Sequence, residues 1–297
     1  MTEVQCSYMK IWEHYKKAFF VASVLVVIIL IGNKKEVELS PISSVSIFDE
    51  YDFSAKAIFI IDEMNDEILF EKDSDRSLEI ASITKLMTAL IAIEEMPKKS
   101  ITIDPESFFS EGDTGLLINE RWEIEDLVTF MLTNSSNDAA EAIAKSYPRG
   151  RLKFIERMND RARELGLMTM IYNNPTGLNE TDEFGGKGSA SDVASLLSYL
   201  YKKNPKIFLG TTKSDFMISS FDSMHKAENT NLVANSLLGI QAGKTGYTDQ
   251  AGGSLVVRFN LGLDTPVTAV VLGAEGRDSR FVDIQNLIKA TALKALE

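Results

Sequence analysis

Ala81-Ser82-Ile83-Thr84-Lys85-Leu86-Met87-Thr88-Ala89-Leu90 is the stretch on which the reading of this chain turns. Ile83, Leu86, Met87, Leu90 and Ile91 recur at helical spacing, and neither glycine nor proline interrupts them before Pro97. The spacing predicts a helix with Ser82 just inside its start, where free backbone N–H groups and the positive helix end lie close by. Lys85 stands three residues on and therefore faces the same way. The Ser-x-x-Lys pattern is weak by itself, since a chain of this length holds roughly one by chance. Ser7-Tyr8-Met9-Lys10 and Ser223-Met224-His225-Lys226 also match it, but neither carries a helical stripe.

Two further triplets follow in order, Ser135-Ser136-Asn137 and Lys244-Thr245-Gly246. Alone, the first reads as a helix N-cap or as a catalytic element, and the second as a turn or as a binding strand. Together with Ser82 and Lys85 they supply a nucleophile with its own base, a proton shuttle and a cation that can hold a carboxylate. This is equipment for serine acyl transfer without histidine. The only histidines are His14 and His225. A catalytic zinc site usually takes three protein ligands, often histidines, and no such spacing occurs here. No metal and no cofactor is expected.

The chain resembles the serine D-alanyl-D-alanine carboxypeptidases, the low-molecular-mass penicillin-binding proteins, over roughly residues 51–297. The three triplets are the motif set of that group and of class A β-lactamases. The resemblance also covers Ser135-Ser136-Asn137-Asp138-Ala139-Ala140, Asn174-Pro175-Thr176-Gly177-Leu178, Asn229-Thr230-Asn231 and Gly243-Lys244-Thr245-Gly246-Tyr247-Thr248. It implies an α+β fold of the β-lactamase/transpeptidase type: a five-stranded antiparallel sheet with flanking helices and an inserted helical subdomain. It implies Ser82, Lys85 and Ser135 as catalytic residues, with Asn137, Lys244, Thr245, Gly246, Tyr247 and Thr248 binding substrate. The backbone amides of Ser82 and Tyr247 would form the oxyanion hole. The implied substrates are peptidoglycan stem peptides, and β-lactams would act as covalent inhibitors.

The residue chemistry states its own requirements. A serine hydroxyl needs a base, and Lys85 can serve only when neutral, well below its free pKa near ~10.4. Burial and a second cation, for which Lys244 is the expected source, would both lower it. Gly246 is expected to leave room for a substrate chain beside the strand. Asn229 and Asn231 are expected to fix a loop near the cleft. Arg277 either adds charge at the carboxylate site or lies on the surface. Three alternatives stand beside the carboxypeptidase: a D,D-endopeptidase, a class A-like β-lactamase and a non-enzymatic penicillin or peptidoglycan sensor. A class A enzyme carries a deacylating glutamate in a Glu-x-x-Leu-Asn loop, and the comparable region here holds Leu178-Asn179-Glu180 instead.

The net charge of −12 argues against nucleic acid, whose phosphates demand a basic face. Cys6 is the only cysteine, so no intramolecular disulfide forms. Residues 18–32 are an uncharged apolar run flanked by lysines, within the length of a signal core. They are expected to act as an uncleaved transmembrane signal anchor, with 1–17 a cytoplasmic tail and 33–50 a linker. The catalytic domain, 51–297, would then lie on the extracytoplasmic side of the cell membrane. Predicted strands at 57–61, 67–70, 254–259 and 266–272, with the Lys-Thr-Gly segment, place a sheet subdomain at about 51–80 plus 235–297. Predicted helices at 123–132, 152–165 and 191–201 place a helical subdomain at about 81–234, and a last helix covers 278–296.

Overall fold

The computed structural model describes residues 46–96, 99–108, 115–180 and 183–296. The expected tail and anchor, and the linker up to residue 45, lie outside the described residues. In chain order the first part holds β1 (Ala57–Asp62), β2 (Glu67–Lys72), β3 (Leu78–Glu79), α1 (Lys85–Glu95), β4 (Ser100–Thr102) and β5 (Arg121–Glu123). The middle holds α2 (Ile124–Asn134), α3 (Asn137–Ser146), α4 (Gly150–Glu164), β6 (Ile171–Tyr172), β7 (Gly186–Gly188) and α5 (Ala190–Lys203). The last part holds β8 (Asp215–Ser219), β9 (Met224–Glu228), β10 (Ile240–Thr248), β11 (Gly252–Leu261), β12 (Thr265–Ala274) and α6 (Ser279–Lys294).

Among the described residues the main sheet has five strands in the order β10-β11-β12-β1-β2, every neighbouring pair antiparallel. Strand β1 pairs with β12 from Ala57 opposite Leu272 to Asp62 opposite Val267, so the two ends of the chain close one sheet. Strand periodicity sorts the side chains onto two buried faces. Phe59, Val256, Val270 and Leu272 join the core shared with the helices, whereas Ile58, Ile60, Val257, Val271 and Phe259 pack beneath α6. Both faces are covered, so the strands read as near-continuous apolar runs.

Helix α1 runs through the helical half, with Leu86, Met87, Leu90 and Ile91 all fully buried. A helix apolar on every side belongs in an interior. The last helix appears where the sequence placed it. Two features differ. The antiparallel hairpin β8–β9 was not anticipated, because its inward positions include His225 and Ala227, which carry little strand signal. The span read as linker contributes to the core at its end: Ser46 caps the short helix Ile47–Glu50, and Phe48 stacks on Phe70 at 4.5 Å.

Helix α6 is tied to the start of β1 by one carboxylate. Buried Asp283 accepts from Ser54 N at 3.2 Å, Ser54 Oγ at 2.9 Å and Ala55 N at 2.8 Å. Hydrogen bonds to a charged group contribute about 1.5–3 kcal/mol each and are not additive. Asp283→Ala should therefore lower unfolding free energy by about 2–4 kcal/mol, measured by urea denaturation. A loss under about 0.5 kcal/mol would show that the tie is dispensable.

Candidate active site

Ser82 sits in a 3₁₀ turn, Ala81–Thr84, that leads directly into α1. Ala81 adopts φ 46°, a left-handed conformation that costs energy for a residue with a Cβ. Lys85 is fully buried, and its Nζ lies 2.9 Å from Ser82 Oγ, 2.7 Å from Asn137 Oδ1 and 2.7 Å from the Thr176 carbonyl oxygen. Two of these three partners are carbonyl oxygens, which only accept. A neutral amine has two N–H donors, so Asn137 and Thr176 take both and the lone pair is left facing the Ser82 hydroxyl. Burial lowers the Lys85 pKa to about 7, against the opposing pull of Glu141 and Asp138. An amine so placed, with a pKa of about 7, can take up a proton from a neighbouring hydroxyl at neutral pH.

The Ser-Ser-Asn triplet divides its labour at the junction of α2 and α3. Ser136 is the N-cap of α3 and accepts from Ala139 N at 3.0 Å. Ser135, left-handed at φ 63°, turns its Oγ to within 2.8 Å of Lys244 Nζ. The capping reading of this motif thus holds for Ser136, while Ser135 lies beside Lys244. Asn137, first in α3, reaches Lys85.

Lys244 is buried in β10 and donates also to the Thr245 carbonyl at 2.9 Å. Its pKa is lowered well below the ordinary value, first by burial and then by the charges of Lys85 and Arg280. The sequence expected both burial and the Lys244 cation to lower Lys85; in the structure burial is the largest cause of the fall in both amines. Thr245 Oγ1 meets Thr230 Oγ1 at 2.5 Å, so the middle residue of Asn229-Thr230-Asn231 reaches the site. Asn229 holds the neighbouring loop through the carbonyls of Thr211 and Lys213, at 2.8 and 2.7 Å.

Gly246 has a close neighbour within the fold that the sequence did not indicate. A Cβ there would stand 2.6 Å from the Ile80 carbonyl oxygen and 3.2 Å from Ile83 Cγ1. The missing side chain lets edge strand β10 close on the turn that carries Ser82. Tyr247 donates its hydroxyl to Asp249 at 2.8 Å, and Thr248 Oγ1 accepts from Ala251 N at 3.0 Å to shape the following turn. Arg277 is exposed. The arginine that reaches β10 is Arg280 on α6, whose Nη1 donates to the Gly246 carbonyl at 2.7 Å.

Sequence reasoning missed Arg280 and the internal role of Asn174-Pro175-Thr176-Gly177. Asn174 Oδ1 accepts from Thr176 N, Thr176 Oγ1 and Gly177 N, at 3.1, 3.0 and 2.7 Å, and folds the loop so that the Thr176 carbonyl points at Lys85. The Pro175 carbonyl accepts from Thr88 Oγ1 on α1 at 2.6 Å. Gly177 has φ +83°, and a Cβ there would collide with the Ala81 carbonyl oxygen. The available signal was an Asn followed two residues on by Thr and then Gly, an Asx-turn pattern. His225 stands apart from Ser82's bonded partners: it meets Glu120 at 2.5 Å and lies against the Trp122 ring.

Residues 44–276 match the family described as D-alanyl-D-alanine carboxypeptidase, and the chain belongs to that family. It is 29% identical to a D-alanyl-D-alanine endopeptidase of Pseudomonas aeruginosa, over 80% of this chain and 77% of that one. It is 28% identical to the D-alanyl-D-alanine carboxypeptidase DacF of Bacillus subtilis, over 79% of this chain but only 61% of that enzyme. Penicillin-binding protein D2 of Listeria monocytogenes, solved with ampicillin bound, superposes with a TM-score of 0.71 at 27% identity. That match covers 81% of this chain and 98% of the other.

The Lys85 pKa of about 7 gives a testable pH profile for a reaction that uses this amine as its base. Covalent labelling by a fluorescent β-lactam should accelerate as pH rises through about 7, where Lys85 loses its proton, and then level off. Lys85→Arg should abolish labelling, because guanidinium does not deprotonate in proteins. A rate flat from about pH 5 to about pH 9, or full labelling of the Arg variant, would remove Lys85 from the role.

Proposed function

We propose that this serine peptidase is a D-Ala-D-Ala carboxypeptidase that trims peptidoglycan stem peptides through an acyl-enzyme at Ser82. The observation that carries this is the Lys85 amine, 2.9 Å from Ser82 Oγ and brought to a pKa of about 7 by burial. Ser82 Oγ attacks the carbonyl of the penultimate D-alanine while Lys85 takes its proton. The resulting oxyanion is held by the backbone amides of Ser82 and Tyr247. Collapse breaks the C–N bond, and Ser135, beside Lys244, passes a proton to the departing D-alanine amine. Water then cleaves the Ser82 ester and returns the free enzyme. Lys244, Thr245 and Thr248 receive the terminal carboxylate.

A second reading is endopeptidase action on cross-links, favoured by the endopeptidase name of the Pseudomonas aeruginosa relative. The carboxypeptidase reading is preferred because a buried cation is poorly used by a substrate that lacks a charge to meet it. A class A-like β-lactamase is disfavoured because Glu180, in the comparable loop, is held by Arg151 Nη2 at 2.5 Å. A sensor that binds without reacting makes no use of a base poised near neutrality. We also place the chain at the cell membrane, with residues 18–32 as anchor and the catalytic unit on the extracytoplasmic side. Among the described residues no helix is long and apolar enough to cross a membrane. The full chain should resist carbonate extraction from membranes, and its release into the wash would sink the anchor reading.

Substrate preference separates the two peptidase reactions. A D-Ala-D-Ala peptide with a free carboxylate should outpace its terminal amide by roughly ten- to two-hundred-fold in kcat/KM, the equivalent of one charged hydrogen bond of ~1.5–3 kcal/mol. Lys244→Ala should erase most of that difference. Equal rates on the two peptides would instead make the enzyme an endopeptidase.

A further inference from the structure

Lys85 is held by acceptors from three separate parts of the chain: its own turn, α3 through Asn137, and the 174–178 loop through Thr176. Two of them are joined again by a residue that touches neither Lys85 nor Ser82. Glu141 lies one helical turn beyond Asn137 on α3, with its side chain fully buried. Arg151 grips it with two parallel bonds, Nε to Oε2 at 2.9 Å and Nη2 to Oε1 at 3.1 Å. The same Nη2 reaches Glu180 Oε1 at 2.5 Å. Glu180 stands two residues after Leu178, whose carbonyl accepts from Asn174 Nδ2 at 2.7 Å.

Arg151 occupies the first turn of α4, where the positive helix end disfavours a cation. Local preference therefore does not explain it, whereas two carboxylates on neighbouring elements do. We propose that Arg151 is a positioning residue, which clamps α3 to the 174–180 loop through Glu141 and Glu180 and so fixes Asn137 and Thr176 around the Lys85 amine. The inference rests on the reading of Lys85 as the base of acylation.

The clamp also sets charge. Glu141 and Asp138 on α3 hold the Lys85 proton on, and Lys244 on β10 is the second amine that interacts with it. Glu141 is itself pushed up by burial and pulled back by Arg151, with Glu180 raising and Lys145 lowering it. Arg151 pulls the Glu141 pKa down against the effect of burial. Removing the Glu141 charge alone should therefore make Lys85 easier to deprotonate.

The test uses the full chain and a fluorescent β-lactam, with rate at saturating label and pH midpoint read together. Arg151→Met should slow acylation about ten-fold or more at neutral pH, and Arg151→Lys, which cannot fork between two carboxylates, should restore only part. Glu141→Gln should move the midpoint to lower pH by about half a unit. Glu180→Gln, on the half-exposed arm of the clamp, keeps the fold in reserve and should give a smaller loss of rate. Arg151→Met and Glu180→Gln both at the wild-type rate, or a Glu141→Gln midpoint that stays in place, would overturn the proposal. Active Lys85→Arg would overturn the base reading instead. A dead Lys85→Arg beside an unaffected Arg151→Met would remove the clamp alone.

Discussion

The structure depends on stripping two lysine amines of water within one cleft. Lys85 and Lys244 are both buried and both lowered by burial. Each retains hydrogen bonds, since an unmet buried polar group is costly. The partners come from distant parts of the chain: Asn137 is 52 residues from Lys85, Thr176 is 91 away, and Ser135 is 109 from Lys244. The cleft therefore forms only when α1, the α2–α3 junction, the 174–178 loop and β10 have all docked. Fold and chemistry share the same contacts.

The sheet serves this by bringing the two ends of the chain together. Strand β1 fills the place between β12 and β2, which leaves β10 as an edge. A bare edge strand offers unpaired backbone groups. Here that edge closes on the Ala81–Thr84 turn, and Gly246 allows the approach. Arg280 then holds the Gly246 carbonyl from α6, so the helix covering one face of the sheet also braces the strand that carries Lys244. Its own pKa falls to about 10, mainly through burial, with Arg277 adding repulsion. Asp283 anchors the same helix to the start of β1.

What the sequence made legible was periodic or local. The stripe of Leu86, Met87, Leu90 and Ile91 located α1 because a buried helix repeats every three to four residues. The three short motifs located Ser82, Lys85, Ser135, Asn137 and Lys244, which the structure links by hydrogen bonds. Residues whose importance lies in what they reach were not legible. Arg280, Asn174 and Arg151 have no local signature of their targets, and the β8–β9 hairpin hides inward residues of low strand preference. At Gly246 the sequence suggested room for a substrate chain and gave no sign of the Ile80 carbonyl that a Cβ there would meet.

On the proposed reading, the two amines divide their roles by what approaches them. In the free protein Lys85 has a pKa of about 7, and Lys244, flanked by Lys85 and Arg280, is also held below its ordinary pKa. A substrate carboxylate arriving at Lys244 supplies the opposite charge that the site lacks and favours the ammonium there. A charged Lys244 in turn disfavours a second proton on Lys85, because two cations in a dry cleft repel strongly. Carboxylate binding would thus turn Lys85 into the free base at the moment Ser82 needs it. A substrate without that charge leaves Lys85 more often protonated and the serine idle. Selectivity for a terminal carboxylate and activation of the nucleophile then become one electrostatic event, which a single lysine in this cleft could not achieve.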